Sequence, residues 1–227
     1  MTAQLPTLYW ANGSIPSWQV LCLLHERAIP FEGRRLRVMS TPKDTRTPEF
    51  LAINPRGQAP TWVEPDGRVV TESAALLLYL DRTAPGPQLL PQDPAPLGLA
   101  LERMFQVHDL RAAYRPLEQL FLGADALSDH QRDAARRAPA RVYEELQHWE
   151  GYLSHTTFIA GDDLTLADCA VYPVLAYQQR RGLILHELPH LTRYTATMAA
   201  RPAIHAARPE GWHKPRSKDL FAAARAL

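Results

Sequence analysis

The sequence has two cysteines, no long hydrophobic run and a formal net charge of only +1 over 227 residues. Each shortage removes a class of function. Cys22 and Cys169 sit in apolar helical patterns and read as buried, reduced thiols rather than a structural disulfide. The longest apolar stretch, residues 74–80, is far short of the roughly 20 residues that a bilayer-spanning helix needs, so no membrane association is expected. The near-zero charge supplies no field for nucleic acid or for an anionic membrane surface. Residues 1–6 have neither a basic region nor an apolar core, so no secretory signal is expected and the chain reads as cytoplasmic. The glycosylation sequon Asn12-Gly13-Ser14 is set aside for the same reason. There is no P-loop, dinucleotide fingerprint, nucleic-acid motif, internal repeat or low-complexity tract.

What is present is a globular composition, 46% hydrophobic, of a length that suits one or two domains. Leu8-Tyr9-Trp10 reads as a first strand. Pro16, near a helix start where its missing N–H is harmless, opens a helix running to about Ala28. A strand is expected over 31–38, a polar loop over 40–48, and a short helix ending at Asn54-Pro55. Asp66-Gly67 is a hairpin signal between strands 61–63 and 68–71. Ala74 to Leu80 is a helix too apolar for a surface. Prolines 85, 87, 91, 94 and 96 crowd residues 84–96, which places a linker there. Everything after it reads as helix, giving domains at 1–83 and 97–227. Helices are expected over 97–122 and from Ser128, the latter with a possible kink at Pro139.

Two further motifs resolve on physical grounds. Thr165 and Asp168 have the spacing of a helix-capping box with Asp in place of Glu, and the apolar run after them marks a buried helix. This pair is expected to build the fold rather than to react. His186-Glu187-Leu188-Pro189-His190 matches the zinc-protease pattern H-E-x-x-H. That pattern works only on an unbroken helix, and Pro189 breaks it. No metal site is expected.

The segment 54–73 carries the strongest functional signal. Asn54-Pro55-Arg56-Gly57-Gln58-Ala59-Pro60 leads into a strand, and Glu72-Ser73 opens a helix. A strand entered through a proline, beside a helix N-terminus bearing Glu and Ser, can present hydrogen bonds to a peptide-like anionic ligand. With Gly13-Ser14-Ile15-Pro16-Ser17-Trp18, Trp149-Glu150-Gly151-Tyr152-Leu153 and residues 198–202, it resembles the cytosolic glutathione S-transferase family along nearly the whole chain. Within that family it is similar to serine-type members of the theta, zeta and rho-like subgroups. The resemblance implies a thioredoxin-like α/β N-terminal domain, a mixed four-stranded sheet with three helices, followed by an all-α C-terminal domain. It also implies a homodimer and glutathione as co-substrate.

Glutathione attacks electrophiles as its thiolate, so a site must hold the tripeptide and stabilise the sulfur anion. The resemblance gives the catalytic role to the hydroxyl of Ser14, with simple helix capping as the alternative. Tyr9, inside the first strand, is the rival donor. Ser14-Ile15-Pro16-Ser17 has serine at both ends where thioredoxin-like redox proteins have cysteine, which disfavours disulfide chemistry. By the same resemblance Ala59-Pro60 is a cis-proline dipeptide that pairs with the cysteinyl backbone. Glu72 and Ser73 hold the γ-glutamyl end, and Gln58 and Lys43 the glycyl end. The electrophile pocket is assigned to Trp10, Ile15, Met104, Phe105, His108 and Ala112, with Trp212 a further possibility. Met104 and Phe105 have core residues as their alternative reading, and His108 a structural one. The expected function is conjugation of glutathione to small hydrophobic electrophiles. The alternatives are a zeta-like glutathione-dependent isomerase, although Ile15-Pro16 departs from the Ser-Cys pair of that subgroup, and a glutathione-binding protein with little turnover.

Overall fold

A computed structural model describes residues 4–214 and 218–227. In chain order the elements are β1 (Thr7–Ala11), α1 (Ile15–Glu26), β2 (Glu32–Leu36), α2 (Pro48–Ile53), β3 (Thr61–Val63), β4 (Val69–Thr71) and α3 (Ser73–Thr83). Then come α4 (Pro94–Glu118), α5 (Asp129–Tyr152), α6 (Leu166–Arg180), α7 (Pro189–Ala200), α8 (Pro202–Ala207) and α9 (Leu220–Arg225). They form two compact units. One comprises residues up to 89 together with 201–212, and the other 90–200 together with 213–227.

The first unit is built on a four-stranded mixed sheet in the order β2-β1-β3-β4, the thioredoxin-like arrangement expected. β1 pairs parallel to β2, and α1 makes the crossover that a parallel pair requires. β3 runs antiparallel to both β1 and β4. The hairpin closes at Asp66-Gly67 as the sequence predicts: Gly67 has φ +87, and Glu64 N–H donates to Arg68 C=O at 2.9 Å. The edge strand β2 is short and charged (Glu-Gly-Arg-Arg-Leu) and largely exposed, which discourages edge-to-edge pairing. Residues 17–24 of α1 are all buried, because the helix packs against both α3 and α8. At its C-terminal end the Arg27 side chain is 2% exposed. It donates to Asp81 Oδ1 at 3.1 Å and to the carbonyls of Leu80, Asp81, Ala84, Pro85 and Gly86.

The second unit is all-helical, as expected. α4 packs on α5 and α6, while α7 packs on both α5 and α6. The proline-dense stretch is shorter as a break than the sequence implies, since α4 already begins at Pro94. Pro94 and Pro96 lie in a first turn whose N–H groups have no intrahelical partner, so they cost the helix little. Ser128 caps α5 through a reciprocal box: Gln131 N–H donates to Ser128 Oγ at 3.3 Å and Ser128 N–H to Gln131 Oε1 at 2.9 Å. The Thr165–Asp168 box forms at α6, and Asp168 does more than cap. One carboxylate oxygen accepts from Thr165 N–H at 2.8 Å and from the Thr165 hydroxyl at 3.2 Å, and the other from Ile159 N–H at 3.0 Å. The buried Tyr194 hydroxyl faces the same carboxylate, outside good hydrogen-bonding geometry. Burial outweighs these donors and pushes the Asp168 pKa up to about 6.

The H-E-x-x-H match dissolves structurally. α7 starts at Pro189, so His186 and Glu187 precede the helix that carries His190. The N–H groups of His190 and Leu191 donate to Glu150 of α5 at 2.9 and 2.8 Å. Both cysteines are buried and unpaired with each other, and burial holds the Cys22 thiol well above its ordinary pKa. No helix among the described residues is long and apolar enough to cross a membrane.

Candidate functional site

Three stretches of the first unit carry the residues singled out from sequence. The first is the turn from β1 into α1. Ser14 is half-buried at the N-cap of α1, and its Oγ accepts from Ser17 N–H at a long 3.4 Å. That bond uses Oγ as an acceptor and leaves its proton to be donated elsewhere. The Ser17 hydroxyl is fully buried and accepts from Ala11 N–H at 3.1 Å, locking the end of β1 to the helix. Tyr9 belongs to a different environment. Its ring packs edge-on to Phe50 with centroids 5.6 Å apart, and its hydroxyl accepts from Arg34 at 3.5 Å.

The second stretch is the loop before β3. The Ala59–Pro60 bond is cis, as is Thr41–Pro42, which the sequence reading passed over. β3 is flanked by β1 and β4, so it is a central strand and not the edge strand that a proline would ordinarily mark. The strand ladder stops at Thr61, and the backbone of Ala59 lies beyond it. Asn54, which is buried, shapes this loop. Its amide donates to Gln58 C=O and to Thr61 Oγ1, both at 2.9 Å, while its Oδ1 accepts from Arg56 N–H at 3.1 Å. Gln58 itself is exposed. Gly57 has φ +61, and a Cβ there would stand 2.6 Å from Thr45 C=O, so only glycine brings this loop against the 3-10 turn at Asp44–Arg46. Lys43, exposed, immediately precedes that turn.

The third stretch is the start of α3. Glu72 is exposed and adopts φ +70, an unfavourable conformation for a residue with a Cβ. It occupies the N-cap without using its side chain as a cap. Ser73 also does not cap the helix; its hydroxyl donates to Gln19 Oε1 of α1 at 3.0 Å. Capping therefore does not account for either side chain. The first-turn N–H groups of α3 have no carbonyl partner within the helix. Gln19 lies five residues after Ser14, about 7.5 Å along the helix axis. The Ser73 contact therefore ties the N-terminus of α3 to the same helix that Ser14 caps.

The remaining expected residues divide between the two units. Trp10 is half-buried on β1 and Ile15 is buried in the first turn of α1. On α4, Met104 is buried, whereas Phe105 is 46% exposed. His108 and Ala112 are exposed as well. Phe105 and His108 lie with ring planes 27° apart and centroids at 6.4 Å. Trp212 packs edge-on to Trp18 of α1 with centroids 4.7 Å apart.

Sequence reasoning missed Asn54, Gln19 and Asn12. Gln19 was visible as the one amide in the buried run Trp18-Gln19-Val20-Leu21. Asn54 stands in the 54–60 motif, but nothing in its local sequence marks it as the residue that shapes the loop. Asn12 carries no local signal, because its partner lies 198 residues away.

Comparison with known proteins agrees with this architecture. The family description "Glutathione S-transferase, N-terminal domain" matches residues 5–83, and "Glutathione S-transferase, C-terminal domain" matches residues 110–202. Glutathione S-transferase A of Pleuronectes platessa is 32% identical, covering 95% of this chain and 96% of its own. A probable maleylacetoacetate isomerase of Caenorhabditis elegans is 31% identical over 92% of this chain and 96% of its own. A solved glutathione S-transferase from the Antarctic clam Laternula elliptica superposes with a TM-score of 0.86 at 29% identity, covering 97% of this chain and all of its own. A Sulfitobacter glutathione transferase homologue, solved with bound glutathione, gives 0.76 at 25% identity, covering 89% and 96%. In both its sheet-based half and its helical half, this chain belongs to the glutathione S-transferase family.

Proposed function

We propose that this chain is a glutathione transferase of the serine type, in which the Ser14 hydroxyl donates to the glutathione sulfur and holds it as a thiolate. The observation that carries this reading is the start of α3, where Glu72 and Ser73 stand at a helix N-terminus that neither side chain caps. An anionic ligand takes that place: the γ-glutamyl carboxylate meets Ser73 and the first-turn N–H groups, and its ammonium meets Glu72. Ala59, just past the end of the β3 ladder, pairs its backbone with the cysteinyl unit. Gln58 and Lys43 hold the glycyl end. This order along the ligand brings sulfur toward the N-terminus of α1, where the Ser14 hydroxyl and the first-turn N–H groups favour negative charge.

The mechanism needs no deprotonated serine. Ser14 Oγ accepts from Ser17 N–H and donates its own proton to sulfur, which lowers the thiol pKa. The glutathione proton leaves to water, and the thiolate attacks the electrophile. The electrophile is a small hydrophobic molecule, with Trp10, Ile15, Met104, Phe105, His108 and Ala112 as the residues to test for its selection.

Ser14→Ala tests the reading. A hydrogen bond to a charged group contributes about 1.5–3 kcal/mol, so losing it raises the bound thiol pKa by about one to two units. Ultraviolet absorbance of the bound thiolate across pH, and turnover of a nitro-activated aryl chloride, should both show the loss. An unchanged thiolate titration and unchanged turnover would defeat the assignment.

A second reading is glutathione-dependent cis–trans isomerisation of an unsaturated diacid. It is favoured by the C. elegans relative, which bears the name maleylacetoacetate isomerase. The buried Ile15 at the first position of α1 argues against it, because that subgroup is expected to place a Ser-Cys pair at Ile15-Pro16. Activity on maleylacetoacetate, with none on aryl chlorides, would establish it. Tight glutathione binding without turnover on either substrate would mark a binding protein.

A further inference from the structure

The turn that carries Ser14 is held on its outer side by a stretch of chain nearly two hundred residues away. Asn12 faces Glu210 in a reciprocal pair: Glu210 N–H donates to Asn12 Oδ1 at 2.9 Å, and Asn12 Nδ2 donates to Glu210 C=O at 3.3 Å. The Glu210 carboxylate pairs with Arg35, which lies opposite Trp10 in the β1–β2 register. Two residues on, Trp212 packs against Trp18. At the other end of the same stretch, Arg201 Nε and Nη2 bind the two carboxylate oxygens of Glu26 at 2.6 and 2.8 Å. Residues 201–212 therefore run as a strap along α1 from its last turn to its first and end on the loop just before Ser14.

Within the loop itself little fixes residues 12 and 13. Gly13 is exposed with φ +75, and a Cβ there would meet nothing within 4 Å. Ser14 N–H donates to Ala11 C=O at 3.2 Å, and the bonds of Ala11 and Ser14 to Ser17 tie the two ends of the turn to α1, but none of these bonds reaches residues 12 and 13. The Asn12–Glu210 pair holds that part of the loop, because an amide bonded at both ends to the backbone N–H and C=O of one residue has no free rotation. A hydroxyl must meet sulfur within a few tenths of an ångström to keep its hydrogen bond, so a tilt of this loop acts directly on the thiol.

We infer that Asn12 is a positioning residue for Ser14, acting through the backbone of Glu210, and that residues 201–212 form a strap that sets the ionisation of bound glutathione. The inference rests on the serine-type reading above. It assigns no contact between Asn12 and the ligand.

Two full-length variants remove the pair from opposite sides. Asn12→Ala deletes the side chain. Glu210→Pro removes the N–H that donates to Asn12 Oδ1 and leaves the residue-210 C=O to accept from Asn12 Nδ2; Trp212 N–H donates to Pro209 C=O at 3.1 Å and Gly211 has φ +75, so residue 210 is the second residue of a turn in which proline is favoured. Glu210→Pro also removes the carboxylate, and Arg35→Ala measures that contribution separately. Each variant is checked for folding by thermal melting, then titrated with glutathione and a nitro-activated aryl chloride across pH. The expected result for both Asn12→Ala and Glu210→Pro is a pH–rate midpoint about one unit higher and a kcat at the original midpoint lower by roughly fivefold, with KM for glutathione changed by less than about threefold. A purely structural role would lower the melting temperature without moving the midpoint. A folded variant of either kind that keeps the original midpoint overturns the inference, and Glu210→Pro decides should Asn12→Ala fail to fold. Ser14→Ala run in parallel separates the two readings. If Ser14→Ala is silent, the serine-type assignment falls; if Ser14→Ala shifts the midpoint and the strap variants do not, only the strap's role falls.

Discussion

Asp168 offers the sharpest test of how this fold is held together. Its carboxylate is fully buried and accepts from two backbone N–H groups and one hydroxyl. Asp168→Ala leaves the N–H groups of Ile159 and Thr165 buried without partners, at about 1–3 kcal/mol each, so a loss of roughly 3–4 kcal/mol in denaturant unfolding is expected. The pH dependence is more discriminating. Burial raises the folded-state pKa from 3.8 to about 6. A raised folded pKa means that the native state binds the proton more tightly. This contribution to stability is therefore fully present below about pH 4 and is lost as pH rises through 6. At about 1.36 kcal/mol per unit, the loss amounts to roughly 3 kcal/mol. Asp168→Asn cannot titrate and serves as the reference. The stability of the wild type relative to Asp168→Asn should fall by that amount between pH 4 and 7, as measured by urea unfolding at intervals of half a pH unit. A difference that grows with pH would show that the three donors outweigh burial and would refute the argument.

Two further perturbations follow from the first unit. Arg27→Ala removes a buried guanidinium that contacts five carbonyls and leaves the Asp81 carboxylate, 1% exposed, without its cation; breaking such a pair costs about 3–5 kcal/mol, to be read by chemical denaturation. Glu72→Gly relieves a positive φ of 70° that costs roughly 1–2 kcal/mol, partly offset by the greater freedom of glycine in the unfolded chain. Stability should hold or rise by up to about 1 kcal/mol, while calorimetry should show weaker glutathione binding. A large destabilisation would show that Glu72 is structural.

The order of strands and helices in the first unit was legible because each turn carries its own signal. Asp66-Gly67 requires a positive φ, Pro16 and Ser14 mark a helix start, and the alternation of element types implies the parallel β1–β2 crossover. The helical half was equally readable, down to the Thr165–Asp168 box, because capping is a matter of spacing. Prolines 94 and 96 misled, since proline density alone does not distinguish a break from a first turn. Beyond fold, the candidate site was legible only where it is local. Ser14, Ala59-Pro60 and Glu72-Ser73 are contiguous motifs. The contacts that position them are not: Gln19 meets Ser73 across 54 residues, and Asn12 meets Glu210 across 198. Such pairings are set by tertiary packing and leave no periodicity or spacing to read.

The return of residues 201–212 to the first unit has a consequence for biosynthesis. The first unit's leading stretch is complete at residue 89, but its last piece begins 112 residues later (201 − 89). At roughly 5–20 residues per second, a ribosome takes about 6–22 s to cover that gap. During that interval Trp18 lacks Trp212 and Glu26 lacks Arg201, so part of α1 is an apolar surface waiting for its cover. The nascent chain should engage chaperones in that window. A circular permutant that joins 201–212 directly to the leading stretch should shorten it.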